Sequence, residues 1–213
     1  MLRKVVALLF LAAVPALAQF PRSRNSAYKG PDYWVGLSYG FVDATTIFDG
    51  TTNTEWRLGY APQLRATLEK TLQRGITAGI SAGYATQPLT YTSSTFNTSD
   101  CAASCNAKAD VTQYMAFIQG GASTGFHILY NIEGGMTQYS NFRTEDTDAK
   151  LPPDKGGYDF SFGLGGGVGY GLSASSDLYV EEVVDFILHP QGSSSSSSVP
   201  RLPSFRAGFR IGF

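Results

Sequence analysis

Ser204-Phe205-Arg206-Ala207-Gly208-Phe209-Arg210-Ile211-Gly212-Phe213 is the stretch whose reading decides the fold. Phe205, Ala207, Phe209, Ile211 and Phe213 share one parity, and Ser204, Arg206, Gly208, Arg210 and Gly212 share the other. Side chains alternate across a strand, so one face is apolar and the opposite face carries two cations. A bare row of Phe on a water-exposed strand invites aggregation. The same row suits the wall of a membrane barrel, with lipid outside and a polar interior.

The beginning of the chain agrees. Met1-Leu2-Arg3-Lys4 is positive, residues 5–14 are apolar, and Ala16-Leu17-Ala18 is a cleavage pattern before Gln19. The apolar run is too short to cross ~30 Å of hydrocarbon as a helix. Residues 1–18 therefore read as a cleaved signal peptide, residues 19–32 as a periplasmic lead-in and residues 33–213 as the barrel. No later run approaches the ~20 apolar residues of a spanning helix. An exported membrane protein without such helices has a closed barrel as its main option, because backbone groups in lipid must be paired internally.

Composition points the same way. Gly 24, Tyr 12 and Phe 14, with 15% charged residues, suit a β protein rather than a helical bundle. Loss of Arg3 and Lys4 with the signal would move the formal charge from -1 to -3, which makes no case for nucleic-acid binding. Cys101-Ala-Ala-Ser-Cys105 in an exported chain reads as a short local disulfide. Two thiols with no nearby His make an incomplete zinc site, so no metal is expected, and no cofactor.

Seven further segments alternate like the last. They are residues 33–42, 56–72, 76–91, 109–120, 125–139, 158–172 and 178–188. In the second, Trp56, Leu58, Tyr60, Leu64 and Leu68 share a parity and read as outward. Arg57, Gln63, Arg65 and Glu69 read as inward. Pro62 marks a bulge or the emergence of that strand from the membrane. Residues 43–54, 92–107, 140–156 and 189–201 are long polar loops, the last with six consecutive serines, Ser193 to Ser198. Residues 73–75, 121–124 and 173–177 are short turns. Long and short connections thus alternate, as external loops and periplasmic turns do. The expected fold is all-β: a closed eight-stranded antiparallel transmembrane β-barrel, an up-and-down meander with both termini in the periplasm.

The chain resembles the small eight-stranded outer-membrane barrels of the OmpA, OmpX and opacity-protein type. The resemblance spans Tyr33 to Phe213 and rests on the strand pattern and on the ending Phe209-Arg210-Ile211-Gly212-Phe213. That ending resembles the C-terminal signal read by the barrel-assembly machinery of Gram-negative bacteria, with Phe209, Ile211 and Phe213 as its apolar positions. The resemblance implies residence in the outer membrane, contact with its lipid and lipopolysaccharide, and a monomer. OmpA itself continues into a soluble peptidoglycan-binding domain; this chain ends at the barrel, so that function is not carried over.

An eight-stranded barrel has an interior just wide enough for side chains. Inward parity places Arg57, Arg65, Glu69, Glu133, Glu181, Asp185, Arg206 and Arg210 there as an ion-pair network. Strands seven and eight are neighbours, so Glu181 and Asp185 are expected to pair with Arg206 and Arg210. His127 is expected inward, near Asn131 and Glu133. Gly163 to Gly171 has neither the G-x-G-x-x-G spacing nor the strand–helix unit of a nucleotide loop. Some barrels of this size deacylate lipid A with a lipid-facing Ser/His/acid set, but Ser, His and acid share no outward face here. The reading is a non-enzymatic barrel with a structural role, or one contacting an extracellular ligand through its loops. A small channel for ions or solutes is the alternative, and a lipid A-modifying enzyme a remote one.

Overall fold

The computed structural model describes residues 30–50, 52–93, 101–121, 124–153, 157–189 and 199–213. The signal peptide, nearly all of the lead-in and the serine run lie outside the described residues.

Ten strands follow in order: β1 Tyr33–Val42, β2 Thr45–Asp49, β3 Thr54–Leu58, β4 Ala61–Gln73, β5 Ile76–Ser93, β6 Ser104–Gly120, β7 Gly125–Thr144, β8 Tyr158–Ser173, β9 Ser176–Leu188 and β10 Arg201–Gly212. Eight of them, β1 and β4 to β10, pair antiparallel in a ring, each with its neighbours in the meander. The seam is β1 against β10. It runs to the last residue, where Tyr33 and Phe213 exchange backbone hydrogen bonds of 3.1 and 2.9 Å. Closure leaves the ring without an edge, as a hydrocarbon environment requires.

The stagger of that ring follows from the register. A ladder leaving β7 at Gln138 passes Thr112, Tyr84, Leu64, Tyr39, Ala207, Val180 and Val168, and returns to β7 at Ile128. The displacement from 138 to 128 is ten residues for eight strands, a stagger that goes with the roughly 35–45° strand tilt of closed barrels.

Outward positions form an apolar belt, including Val35, Leu68, Ile80, Ile132, Leu164 and Ile211, each about half exposed. Inward positions of the same strands are mostly polar or glycine, with Trp34, Phe117, Leu129 and Val183 among the apolar exceptions. At the turn end the connections are short: Gly75 takes φ 76°, the left-handed conformation that glycine adopts without penalty.

At the loop end the structure departs from the expected loops. β5 runs to Ser93, β6 starts at Ser104 and β7 reaches Thr144, so residues 92–93, 104–107 and 140–144 are strand. Residues 43–54 are largely a hairpin, β2 with β3, and β3 continues β4's place beside β5. Along these extensions the polarity inverts. Thr86, Thr92, Asn106 and Asn141 face out, while Leu89, Tyr91, Ala107, Val111 and Phe142 are buried inside. The wall is apolar outside where lipid covers it and apolar inside where water does.

Trp56, Arg57 and Leu58 therefore point opposite to the expectation. Leu58 and Ala61 both face inward although three residues apart, an odd step that reverses parity across Gly59–Tyr60. Asp43–Ala44 makes the matching joint on the neighbouring strand, because Val42 pairs with Ala61 and Thr45 with Leu58. Arg57 is exposed and pairs with Glu55 on the surface, so it is not part of the lumen.

Candidate functional site

Three layers of side chains fill the interior. The layer nearest the turns centres on Arg210 of β10. Its Nε and Nη2 donate to Asp177 Oδ2 at 3.0 and 2.7 Å, and its Nη1 donates to Glu69 Oε2 at 3.1 Å and Gln119 Oε1 at 2.5 Å. The guanidinium also lies 5.2 Å from the Trp34 ring centroid. His127 Nε2 stands 3.3 Å from Asp177, and the Thr77 hydroxyl donates to Glu69 at 2.7 Å. Four strands from around the ring thus converge on one guanidinium, whose planar fork suits several acceptors.

The middle layer holds two arginines and three carboxylates. Arg65 binds Glu133 through both ends of its fork, Nη1 to Oε1 at 3.1 Å and Nη2 to Oε2 at 2.6 Å. Arg206 Nε donates to Glu181 at 2.7 Å, and its Nη2 lies 3.6 Å from Glu133. Asn131 donates to Glu133 at 3.2 Å. Gln63 donates to Gln113 at 2.8 Å, and Gln113 in turn to Asp185 at 2.9 Å. Charges taken this far from water require partners; Glu181 meets Arg206 from the adjacent strand, whereas Glu133 is reached across the lumen by both arginines.

The third layer lies under the loop end. His189 Nδ1 is 2.6 Å from Asp159 and its Nε2 is 3.7 Å from Asp49. The Trp56 ring packs edge-on against His189 and tilts against Tyr139 and Phe142. Above sits an apolar cluster that includes Ile47, Leu58, Tyr91, Leu151 and Ile187. Leu151 reaches in from the β7–β8 connection, held by its backbone bond to Phe142 at 2.9 Å. Cys101 belongs to this cluster, and its disulfide to Cys105 is present.

The inward set read from the sequence is thus largely assembled. Arg65 meets Glu133, Glu181 meets Arg206, and Glu69 joins Arg210. Two pairings change. Arg210 binds Asp177 rather than Asp185, and Asp185 is held by Gln113. Asp177 was expected in a turn, but β9 already begins at Ser176, and its parity with Tyr179 and Glu181 was the available signal. His127 turns to Asp177 across the β8 ladder. Phe209 and Ile211 on β10 face outward, and Phe213 just beyond it is exposed, as their parity required. Among the described residues no group of three or more His, Cys, Asp or Glu side chains is arranged to hold a metal ion.

No protein-family model matches this chain, and no curated protein matches its sequence. Solved structures do match. Neisserial surface protein A is 11% identical, over 85% of this chain and 97% of that one, with a TM-score of 0.50. The fold is that of a small outer-membrane β-barrel. OprG from Pseudomonas aeruginosa is 13% identical, over 88% of this chain and 98% of that one, with a TM-score of 0.45. At 11% identity the likeness to Neisserial surface protein A speaks for the small outer-membrane barrel architecture alone.

Proposed function

We propose that this chain is a closed, non-conducting outer-membrane barrel that carries a rigid platform at its loop end, with a structural or surface-interaction role. One observation carries the reading: the interior is filled by paired charges and then capped by the apolar cluster around Trp56, Phe142 and Leu151. A conducting path needs a continuous polar lining, and an apolar constriction resists wetting. Interaction by loops on a rigid scaffold is the usual way such folds acquire partners. The platform's outer surface, polar on β5 to β7, is the face offered to an extracellular ligand.

Purified, refolded protein in planar bilayers tests this. We expect no stepwise conductance; discrete openings would establish the channel reading instead. Biogenesis follows the same proposal. Residues 1–18 direct export, residues 19–32 lead in from the periplasm, and Phe209, Ile211 and Phe213 serve as the signal to the barrel-assembly machinery. Lipid A incubated with the protein should keep its acyl chains, in keeping with a role that is not enzymatic.

A further inference from the structure

One acidic side chain breaks the apolar belt. Glu182 faces outward on β9, between Val180 and Val184, with Phe205 beside it on β10 and Gly166 beside it on β8. The outward row of β9 runs from Leu178 to Leu188, so at ~3.3 Å per residue and the tilt of the strands, Glu182 sits about 10 Å above the lower edge of the belt. A carboxylate there cannot reach either interface. Among the described residues it has no ion pair or hydrogen bond, whereas the six carboxylates of the three interior layers on β4 and β7 to β9 all have partners. Gly166 leaves the wall beside it without a side chain. Tyr130, the next residue along that ladder, leans the other way, over Gly120.

Ionisable groups within a membrane are costly and are kept where they pair. A glycine inside a strand often marks close approach by another backbone. We propose that Glu182 and the Gly166 notch form a contact between two copies of this chain, related by a two-fold axis along the membrane normal. The argument for a second copy is one of depth. Such an axis sets each residue opposite its own equivalent at the same level. Of the outward cations, Lys70 lies in register with Tyr33, where β1 begins at the turn end, and Arg201 lies in register with Phe186, four residues nearer the loop end than Glu182. At the level of Glu182 the partner therefore offers Glu182 itself. Two carboxyl groups there satisfy each other when protonated: each O–H donates to the other's carbonyl oxygen, and no bare charge remains in lipid. The single-barrel state expected from the resemblance becomes the dissociated form.

Energy transfer between donor- and acceptor-labelled protein in lipid vesicles, over a range of protein-to-lipid ratios, tests the proposal. We expect the wild type and Glu182→Gln to self-associate, because two primary amides can make the same reciprocal pair. Glu182→Val should associate about tenfold more weakly. Because the side chain faces lipid, the variant keeps its barrel, which circular dichroism checks. Independently, Glu182→Cys should form a disulfide-linked dimer in native membranes. Wild type that stays single at every ratio overturns the proposal, as does equal association of Glu182→Val or loss of association in Glu182→Gln.

Discussion

Arg65 and Glu133 close on each other from opposite walls of the barrel, two nitrogens to two oxygens, with almost no solvent contact. Such a pair is not in itself evidence of high stability, since desolvation offsets much of the attraction. Its loss on one side is another matter. Arg65→Ala should cost about 3–5 kcal/mol, because Glu133 keeps only Asn131 and the more distant Arg206. The double change to Met and Leu should recover most of that loss. Urea unfolding in lipid vesicles measures both, and a double variant as unstable as the single would contradict the account.

Trp56 and Arg57 are adjacent and should behave as opposites. Trp56 is buried against Tyr139, Phe142 and His189, so Trp56→Ala should cost about 3–5 kcal/mol in the loop-end core and open the β2–β3 hairpin to proteases. Arg57 pairs with Glu55 in water, so Arg57→Ala should change stability by less than about 1 kcal/mol. Unfolding curves and limited proteolysis of the two variants separate the outcomes.

That pair also marks where the sequence was readable and where it was not. Period-two alternation located the eight barrel strands, because lipid outside and a tight interior impose opposite chemistry on successive residues. Arg65, Glu133, Glu181 and Arg206 could be assigned inward on that basis. Parity counting fails across any odd insertion, and Gly59–Tyr60 is one, so Trp56, Arg57 and Leu58 just before it were turned inside out. The rule that apolar means outward also stops at the membrane surface. Lys108, Asp110 and Thr112 alternate with Ala107, Ala109 and Val111 as regularly as the belt does, but with the sense reversed. Thr92 and Asn106, just beyond, looked like loop, although they are on the outer face of a strand. Partner choice was the least legible part. Which carboxylate meets Arg210 depends on the register of β9 against β10, which sets Arg210 opposite Asp177 and which single strands do not encode.

Gly163 leaves the space that the middle layer occupies. A Cβ there would overlap Asp185 Oδ1 and stand 2.9 Å from Glu133 Cγ. Gly163→Ala should therefore cost about 1–3 kcal/mol by forcing that layer apart. Gly134 has an open position on the lipid side, its nearest neighbour being Ser161 O at 3.9 Å. Gly134→Ala should be close to neutral. Refolding yield and unfolding midpoint of the two variants give the comparison, and equal effects would mean that the interior has slack.

Asp148 ties the β7–β8 connection to the outer wall, 3.0 Å from Lys108 and 3.2 Å from Arg143. Hydrogen bonds from Lys108, and next from Arg143, hold its carboxyl below the ordinary value of 3.8. A depressed folded-state value means that the tether contributes above pH 3.8 and is lost as pH falls through the lowered value. The group is exposed, so the effect is local and screened by salt. Proteolysis of this connection, or amide exchange along residues 144–151, should therefore stay constant from neutral pH down to about 4 and rise below it. Asp148→Asn should show the raised rate already at neutral pH, and a profile unchanged by that substitution would show that Leu151 alone holds the connection in place.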